Sequence, residues 1–322
     1  MITARFRRPV SILCYGLFLA SLATIALLFL PVPLDFPPLL FLEFGPRWLF
    51  VLGMFPLLLW VRSNAARSLL AITIAVSLAS AVDFQTAGCN SGAHTTDLYL
   101  TTYNVGGGFV VPAELMLLYQ NDGMDALLLQ EVNQPGIWKD AAASFGLEML
   151  CEGKLCIVTH HMAVARKKIE RTPPDGWGVM AALFDVCIDQ VCIPLANIHL
   201  TTPRHEIEAI LDLEPLHTVL RLGKLRIQES DAVSRLTEDP WAIALGDFNM
   251  TEQSPIYRRY WSAWTNAFGT AGCGMGHTKY TRRLAARIDH ILVGYQWRVI
   301  EAHVREGYGG DHRPLSARLS WR

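Results

Sequence analysis

Apolar residues without a single charge run from Val10 to Leu30 near the start of the chain. A run of this length matches the roughly 20 apolar residues that a helix needs to cross a bilayer. A basic segment, ARFRRP, precedes it, as one would precede a signal peptide. The run is longer than that of a usual signal peptide and more apolar sequence follows, so we expect a retained transmembrane anchor.

Two further apolar runs follow the first. The run from Leu39 to Val61 contains Glu43 and Arg47, which could pair on one helix face or lie at the membrane interface. The run from Leu69 to Val82 is short. Together these runs predict a membrane region over residues 1–84 with three transmembrane helices. Alternatively, the last two runs form a tilted hairpin or lie partly in the interface.

The pattern changes after a small, polar, aperiodic stretch, residues 85–96, which we interpret as a linker. From residue 97 to 322, short apolar runs alternate with a few helical periodicities, which predicts mixed sheets covered by helices. The predicted helices are Pro112–Gln120, Gly136–Phe145 and a long stretch from Pro203 to about Leu236. The predicted strands are LYLTTYNV, ALLLQEV, LEMLC, CIVTH, VMAALFDVC, CIPLANIHL, WAIALGDF, RIDHILV and PLSARLSW.

Composition and charge add to this division. The chain has 322 residues, of which 51% are hydrophobic, and the apolar excess lies in the predicted membrane region. Six of the 28 Arg and Lys and three of the 29 Asp and Glu occur up to Asp83, so the remainder has a formal net charge of −4. A non-specific nucleic-acid binder usually carries a basic surface. The net charge does not predict such a surface, although it leaves local basic patches open.

The arginine distribution predicts how the chain is oriented in a membrane, because basic residues favour the cytoplasmic side. Arginines precede the first predicted span and lie between the second and third, whereas the loop between the first two spans has only Arg47. Three crossings then place everything after Asp83 outside the cytoplasm, which in a bacterium is the periplasmic face of the inner membrane. The arginines on the cytoplasmic side are Arg5, Arg7, Arg8, Arg62 and Arg67.

Six of the seven cysteines fall in the predicted external part, and an even number suits disulfides in an oxidising compartment. CEGKLC and CIDQVC each look like two strand ends around a short turn, so Cys151 could pair with Cys156 and Cys187 with Cys192. Cross-pairing between the two hairpins is equally permitted, and buried free thiols are the alternative to disulfides. Zinc is disfavoured because neither pair has the two-residue spacing of a zinc knuckle.

Polar side chains stand at or near one end of six of these strands or strand-like runs. Each alone has an ordinary explanation, such as turn chemistry for Asn104 or a hydrogen-bonded core histidine for His199. Asp289 is harder to explain alone, because an unpaired buried carboxylate is costly. Together the acids and amides predict a site stabilised by hydrogen bonds or by a hard cation. The set comprises Asn104, Gln130, Glu131, His199, Asp247, Asn249, Asp289, His290, Asp311 and His312.

These polar residues belong to motifs that follow one another between Leu98 and Leu319: TYNVGG, LLLQEV, NIHL, LGDFN, RIDHILV and GDHRPL. In this order the motifs resemble the endonuclease/exonuclease/phosphatase superfamily, which contains deoxyribonuclease-I-like nucleases, inositol polyphosphate phosphatases and neutral sphingomyelinases. The chain departs from the family pattern at Gly310, where a Ser usually precedes the last Asp-His pair. The resemblance implies an α/β (α+β) fold, a four-layer sandwich of two mixed β-sheets flanked by helices, over residues 97–322.

The resemblance also implies a divalent cation, Mg²⁺ or Mn²⁺, in a phosphoester hydrolase. Glu131 would ligate the metal, helped by Asn104 and Asp311. This agrees with the residue types, because hard oxygen ligands favour such ions and because a metal stabilises the negative charge that builds on phosphate oxygens.

Five further residues receive catalytic roles from the resemblance. Asp247 and Asn249 would position or activate the attacking water and contact the phosphate. His199 would donate to a non-bridging phosphate oxygen. His312, oriented by Asp289, would act as general base or as a phosphate-stabilising group.

Selectivity for a substrate would lie in loops. Two candidate loops, Ala163–Gly178 and Ala271–Ala286, carry basic residues that could contact phosphate or simply be solvated. Tryptophans could contact lipid or stack on a base, although core packing is their commoner role; they are Trp177, Trp261 and Trp264. The basic residues are Arg166, Lys167, Lys168, Arg171, Lys279, Arg282 and Arg283.

The leading hypothesis from the sequence is a membrane-anchored, metal-dependent phosphoesterase outside the cytoplasm, in contact with the bilayer and acting on a lipid head group or another phosphoester. An extracytoplasmic nuclease acting on DNA or RNA is the first alternative. A non-catalytic lipid- or partner-binding module is the second. The sequence indicates no protein partner.

Overall fold

The computed structural model describes residues 4–27, 30, 32–34, 36–89, 96–171, 176–237, 239–281 and 285–322. Its helices are α1 Ala4–Leu27, α2 Pro38–Phe44, α3 Trp48–Leu52, α4 Asn64–Ala81, α5 Pro112–Asp122, α6 Pro135–Ser144, α7 Arg204–Leu211, α8 Leu216–Ser234, α9 Pro255–Tyr260 and α10 Ala267–Ala271, with 3₁₀ turns at Phe55–Leu59 and Arg235–Thr237. Its strands are β1 Leu98–Asn104, β2 Ala126–Gln130, β3 Glu148–Glu152, β4 Leu155–Thr159, β5 Met162–Glu170, β6 Val179–Ile188, β7 Val191–His199, β8 Ile243–Asp247, β9 Thr265–Asn266, β10 Lys279–Tyr280, β11 Ala285–Ala286, β12 Asp289–Val293, β13 Trp297–Val304 and β14 Leu315–Trp321.

Two six-stranded mixed sheets form the centre of the molecule. The strand order is β13-β14-β1-β2-β4-β3 in the first sheet and β5-β6-β7-β8-β12-β9 in the second, while β10 and β11 pair with each other. β1 runs parallel to β2, and β7 runs parallel to β8. The other pairs within the two sheets are antiparallel. Each sheet therefore has one parallel pair near its middle, whose strand ends point the same way.

Alternation of side chains along the strands builds four layers. In β1, Leu100 points into a core shared by the two sheets, whereas Tyr99 and Tyr103 point outward under α5 and α6. In β8, Leu245 joins the shared core and Ala244 packs under α8 and α9. The predicted four-layer arrangement of two mixed sheets flanked by helices is confirmed.

Two helical segments of the N-terminal region, Val10–Leu27 and Asn64–Ala81, are long and apolar enough to cross a membrane. The second is longer than the short run predicted there, because Ser63 caps α4 by accepting a hydrogen bond from Ala66 N at 3.4 Å. The predicted span Leu39–Val61 is not one straight helix. It bends by 88° between Pro38–Phe44 and Trp48–Leu59.

The break in that span has a local cause. Pro46 lacks a backbone N–H and restricts the preceding residue, so Gly45 adopts an extended backbone at ψ 174° and α2 ends at Phe44. The segment carries Glu43 and Arg47, whose side chains are both buried rather than at the surface. The two polar side chains therefore lie where the bent segment packs against the rest of the protein.

The N-terminal region contacts the part of the chain that follows it through several polar connections, two of which involve buried charged side chains. Glu43 accepts hydrogen bonds from the backbone N (3.0 Å) and hydroxyl (3.3 Å) of Thr251. The buried guanidinium of Arg287 donates to Asp83 Oδ2 (2.5 Å) and Glu252 Oε1 (2.8 Å). Removing one partner of such a buried pair typically costs about 3–5 kcal/mol, so these contacts join the two regions firmly.

The first residues of the predicted linker are also attached. Gln85 and Gly274 exchange backbone hydrogen bonds of 2.9 Å each, and Gly88 N donates to Gly272 O at 2.9 Å. A disulfide joins Cys89 to Cys273. Residues 90–95 lie outside the described part of the chain. Up to Cys89, the linker is thus fixed to the folded domain.

The other two disulfides join neighbouring strands. Cys151 pairs with Cys156 across β3 and β4, and Cys187 pairs with Cys192 across β6 and β7. The two cysteines of each pair are register partners, which is why local pairing occurs and cross-pairing between hairpins does not. Cys14 in α1 is a free, buried thiol.

Replacing both Cys89 and Cys273 by Ser is expected to destabilise the protein more than replacing both Cys187 and Cys192. The first bridge spans 184 residues and the second spans 5. In the chain-entropy model, cross-linking the longer loop stabilises the folded protein by about 3 kcal/mol more than cross-linking the shorter one. Denaturant unfolding of both double variants in detergent micelles, followed by tryptophan fluorescence, measures the difference. Equal losses would contradict a stabilising role for the long-range bridge.

Two predictions of secondary structure are wrong in detail. The long helix from Pro203 to Leu236 is two helices, α7 and α8, because Leu213 takes a left-handed backbone (φ 56°) and Pro215 cannot donate a helical hydrogen bond. The first half of the predicted loop Ala163–Gly178 is part of strand β5, which pairs along its length with β6. Three of the basic residues predicted on that loop, Arg166, Lys167 and Lys168, therefore lie on an edge strand.

Candidate active site

The two parallel strand pairs end at the same place and bring polar side chains from both sheets together. In the second sheet, Asp247 at the end of β8 is the register partner of His199 on β7 and of Asp289 on β12. In the first sheet, Asn104 ends β1 beside the end of β2, which Glu131 follows. Asp247 therefore lies between two polar neighbours of its own sheet and faces the first sheet.

The Asn104 amide connects the two sheets. Its Nδ2 donates to Glu131 Oε1 (2.9 Å) and to Asp247 Oδ2 (3.0 Å), while its Oδ1 accepts from the backbone N of Gly106 (2.9 Å). Asn104 and Asp247 are buried, and about a third of the Glu131 side chain is exposed. A single amide thus holds two carboxylates from different sheets next to each other.

Two residues of this cluster have unusual backbone conformations. Glu131 (φ 59°) and Asn249 (φ 52°) both lie in the left-handed region, which side chains other than Gly rarely adopt. Such conformations cost of order 1–3 kcal/mol and persist where the surrounding structure enforces them, often at functional sites. Asn249 is held by its backbone N, which donates to Asp247 Oδ1 (2.9 Å), and by its Nδ2, which donates to Leu200 O (2.9 Å).

His312 and Asp289 form the second half of the cluster. His312 Nδ1 lies 2.9 Å from Asp289 Oδ2, and His312 Nε2 lies 3.6 Å from Asp247 Oδ2. Both His312 and Asp289 are buried. Because the Asp289 carboxylate can only accept, it places a proton on Nδ1 and directs Nε2 toward Asp247.

Burial and the close approach of the carboxylates shift the pKa values of the cluster. Burial raises the pKa of the Asp247 carboxyl to about 7, and the neighbouring Asp289 carboxylate adds to this rise. Burial by itself would lower the pKa of the His312 imidazole, but Asp289 and Asp247 outweigh it and raise this pKa to about 9. Burial lowers the pKa of His199. A buried carboxylate that holds a proton near neutral pH is a position where a cation would be stabilised.

The donor set fits a divalent cation. Ligand atoms of Glu131, His199 and Asp247 all lie within 4.8 Å of one another, as do those of Asp247, Asp289 and His312. His199 Nε2 is 3.5 Å from Glu131 Oε1. The carboxylate oxygens of this set suit Mn²⁺ or Mg²⁺.

Asp311, the third predicted metal ligand, lies at the rim of this cluster. Its Oδ1 is 4.0 Å from His312 Nε2, and its Oδ2 pairs with Lys279 Nζ at 2.5 Å. Asn104 presents its amide nitrogen, rather than its oxygen, to the carboxylates. The metal-binding roles of Asp311 and Asn104 stay predictions, whereas their position beside Glu131 and His312 is observed.

A glycine loop after β1 makes the approach of the two outer carboxylates possible. A Cβ on Gly106 would lie 2.0 Å from Glu131 Oε2, and a Cβ on Gly107 would lie 2.2 Å from Asp311 Oδ1. Gly107 also has a positive φ of 70°. Turn chemistry, the ordinary explanation for Asn104, is therefore incomplete, because the run of Gly that follows it beside strand-end acids also signals close approach to a site.

Replacing Gly106 by Ala is expected to lower phosphoesterase activity by about 100-fold, because displacing a catalytic group by about 1 Å can cost this much. The nearest atoms belong to the flexible end of the Glu131 side chain, so the chain can fold and the carboxylate moves instead. Initial rates with bis(p-nitrophenyl) phosphate measure the effect. Gly136→Ala is the matched control, because nothing lies within 4 Å of its added Cβ. Equal activity of the two variants would contradict this role for Gly106.

Two buried residues support the site: Thr278, which was not predicted, and His290, which belongs to the predicted set. Thr278 is buried, and its hydroxyl accepts hydrogen bonds from the backbone N of Ile288 (3.2 Å) and Asp289 (3.1 Å). His290 is buried and its pKa is lowered by burial to about 4; its Nε2 bonds Met250 O at 2.9 Å. His290 therefore fixes the loop that carries Asn249 and does not itself face the cluster.

Three of the four predicted phosphate-binding residues of the Ala163–Gly178 segment have other partners. Arg171 donates to His199 O (2.6 Å) and Glu229 Oε1 (2.8 Å), so it positions the end of β7. Arg166 pairs with Asp185, and Lys168 pairs with Glu152 and Glu170, on the edge strand β5. Arg282 and Arg283 lie outside the described residues.

The three tryptophans differ in environment. Trp261 is fully buried and packs edge-on against Phe248, next to the site loop. Trp264 packs partly buried against the same core, whereas Trp177 is 81% exposed. Core packing, the commoner role, therefore holds for Trp261 and Trp264.

Comparison with known proteins supports the fold. The sequence profile of the Endonuclease/Exonuclease/phosphatase family matches residues 101–312. The chain is similar to the structure of a 3′ phosphatase, NExo, from Neisseria bound to a product DNA hairpin, with 17% identity, a TM-score of 0.52 and coverage of 70% of this chain and 100% of that one. It is also similar to an endonuclease/exonuclease/phosphatase from Beutenbergia cavernae, with 14% identity, a TM-score of 0.52 and coverage of 70% and 72%.

An AP endonuclease from Archaeoglobus fulgidus is a third similar structure, with 14% identity, a TM-score of 0.50 and coverage of 69% of this chain and 98% of that one. No curated protein sequence matches the chain. At these identities the structural likeness concerns the fold.

Proposed function

This chain belongs to the endonuclease/exonuclease/phosphatase family, and on that premise we propose that it is a membrane-anchored, divalent-metal-dependent phosphoesterase whose active site faces a phosphoester at the outer surface of a membrane. One observation carries the proposal. The Asn104 amide holds Glu131 and Asp247 together, and His312, oriented by Asp289, faces the same carboxylate. Acids, an amide and an oriented imidazole are the groups that phosphoester hydrolysis requires.

The residues that would hold Mg²⁺ or Mn²⁺ are Glu131 and Asp247, with Asn104 and Asp311 beside them. When bound, the ion supplies positive charge next to the phosphate oxygens on which negative charge develops. Its charge also favours the deprotonated form of Asp247, whose pKa burial raises to about 7.

The protein's own groups complete the reaction. His312 Nε2 is free to take or give a proton, because its Nδ1 is held by Asp289 at 2.9 Å. Asp247 and Asn249, joined by a 2.9 Å hydrogen bond, orient the attacking water against the phosphate. His199, at the rim of the cluster, donates to a phosphate oxygen. Burial of Asp289 and His312 keeps bulk water away from the proton transfer.

The contacts of the N-terminal region favour a substrate at the membrane surface. Thr251, which Glu43 binds, lies just after Asn249, and Arg287, which binds Asp83, lies just before Asp289. The strand that carries Asp247, β8, and its neighbour β12 are therefore attached, through the loops at their ends, to the apolar N-terminal segments. Such an arrangement would hold the active site close to the bilayer and present it to a lipid head group or another membrane-bound phosphoester.

A substrate panel tests the proposal. We would assay the full chain in detergent or liposomes with Mg²⁺ or Mn²⁺ on phospholipid vesicles, soluble phosphomonoesters and plasmid DNA, with His312→Ala as the inactive control. Faster release of head groups from vesicles than from soluble esters is the expected result. Faster nicking of plasmid would instead support the nuclease alternative. Absence of metal-dependent turnover on the whole panel would leave the non-catalytic binding module.

A further inference from the structure

Two adjacent histidines and an aspartate form a separate group of metal-ligating side chains. His160 and His161 make the turn between β4 and β5, and Asp125 directly precedes β2. Glu131 follows the other end of β2, so the group lies about 20 Å from the candidate active site at the strand rise per residue. The phosphoesterase reaction uses none of these three residues.

The three side chains converge. His161 Nε2 is 3.0 Å from Asp125 Oδ1, and the rings of His160 and His161 lie 3.9 Å apart between centroids. One ligand atom from each of the three residues lies within 4.8 Å of the others. His160 is exposed, and His161 and Asp125 are partly exposed, so an ion can reach them from solvent. Ligands about 2.0 Å from a tetrahedral ion are separated by distances of this order.

Hydrogen bonds around the group orient its members. The Tyr119 hydroxyl donates to Asp125 O (2.9 Å) and lies 2.6 Å from His160 Nδ1. A hydroxyl has one proton, so Nδ1 is the donor in its contact with Tyr119 and Nε2 of His160 keeps a lone pair. Asp125 Oδ2 accepts from the backbone N of Tyr99 at 2.7 Å. Metal-ligating histidines commonly donate their other N–H to an oxygen in this way.

We propose that His160, His161 and Asp125 bind a transition-metal ion, with Zn²⁺ as the foremost candidate. Two imidazoles and one carboxylate suit Zn²⁺, Cu²⁺ or Ni²⁺, whereas Mg²⁺ prefers oxygen ligands alone. The bound ion would connect the β4–β5 turn to the start of β2 and, through Tyr119, to α5. This inference does not depend on the proposed phosphoesterase function.

Metal titration of the full chain in detergent tests the site. After treatment with EDTA, the protein is saturated with Mg²⁺ to fill oxygen-rich sites and titrated with Zn²⁺ by calorimetry, with Co²⁺ absorption as a second readout. We expect one Zn²⁺ that Mg²⁺ does not displace. The double variant with His160→Ala and His161→Ala should bind it at least tenfold more weakly. His205→Ala, on the exposed surface of α7, is the matched control and should bind as wild type does.

Two further variants separate ligation from folding. His161→Gln can still donate to Asp125 but has no ligating ring nitrogen, and Asp125→Asn can still accept from Tyr99. Both should lose the Zn²⁺-dependent rise in unfolding temperature while unfolding as wild type does in EDTA. Unchanged Zn²⁺ affinity and stoichiometry in the double variant and in His161→Gln would overturn the proposal. Complete displacement of Zn²⁺ by Mg²⁺ in the wild type would also overturn it.

Discussion

Replacing His312 by Ala is expected to lower the turnover of metal-loaded enzyme by about 10⁴-fold, the upper range for loss of a general acid or base. His312 is the imidazole whose Nε2 faces Asp247 (3.6 Å) while its Nδ1 is held by Asp289 (2.9 Å). No solvent molecule could take its place with the same orientation, because the side chain is buried. Steady-state rates on the best substrate of the panel, with saturating Mn²⁺, measure the loss.

Asp289→Asn provides the companion measurement. The amide can still bond to His312, but it no longer requires a proton on Nδ1, so the imidazole loses its preferred tautomer. Residues that act as one unit have strongly non-additive effects, so the double variant should be no slower than His312→Ala alone. His205→Ala should retain full activity. Retention of more than a tenth of wild-type turnover by His312→Ala would exclude His312 from the chemical step.

The second large effect is expected from Glu131→Gln, which should lower activity at fixed metal concentration by about 10³-fold. The substitution keeps an oxygen that can accept from Asn104 Nδ2 (2.9 Å) but removes the negative charge from the proposed metal site. Charge stabilisation by a metal is worth several kcal/mol, and about 4 kcal/mol corresponds to this factor.

Metal dependence distinguishes this loss from a general defect. Activity as a function of Mn²⁺ concentration should saturate at a higher concentration in Glu131→Gln than in the wild type, with partial recovery at high Mn²⁺. Glu148→Gln, an exposed change on β3, should leave the curve unchanged. A Glu131→Gln enzyme with the wild-type metal curve would show that Glu131 is not a ligand.

The candidate site was largely predictable from the sequence because strand ends carry it. Apolar runs that stop at Asn104, Glu131, His199 and Asp247 predict acids, amides and imidazole at one sheet edge, and the structure brings all four together. The order of strands in the two sheets was not predictable, since it depends on long-range pairing. The pairing of Asp311 with Lys279 was not predictable either, because the two residues lie far apart in the sequence and only the fold brings them together.

Elements whose hydrophobic pattern is interrupted were missed. Strand β13 was not predicted, because a bulge between Val299 and Glu301 shifts the alternation of inward and outward side chains. Pro215 signals the break of the long helix in the sequence itself, because it cannot donate a helical hydrogen bond. The sequence around Gln85 and Cys89 does not indicate that they attach to the folded domain, because their partners, Gly274 and Cys273, lie far along the chain.

The attachment of Asp83 to Arg287 has a practical consequence for experiments on this protein. Truncation of the apolar N-terminal helices, for example to obtain a more soluble fragment, would remove two contacts. The Arg287 guanidinium would lose one of its two carboxylate partners, and Thr251 N would lose its hydrogen-bond acceptor. Both lost contacts lie next to residues of the candidate active site, Asn249 and Asp289. Low activity of a truncated fragment would thus reflect the loss of these contacts. Substrate screens should therefore use the full chain in nanodiscs.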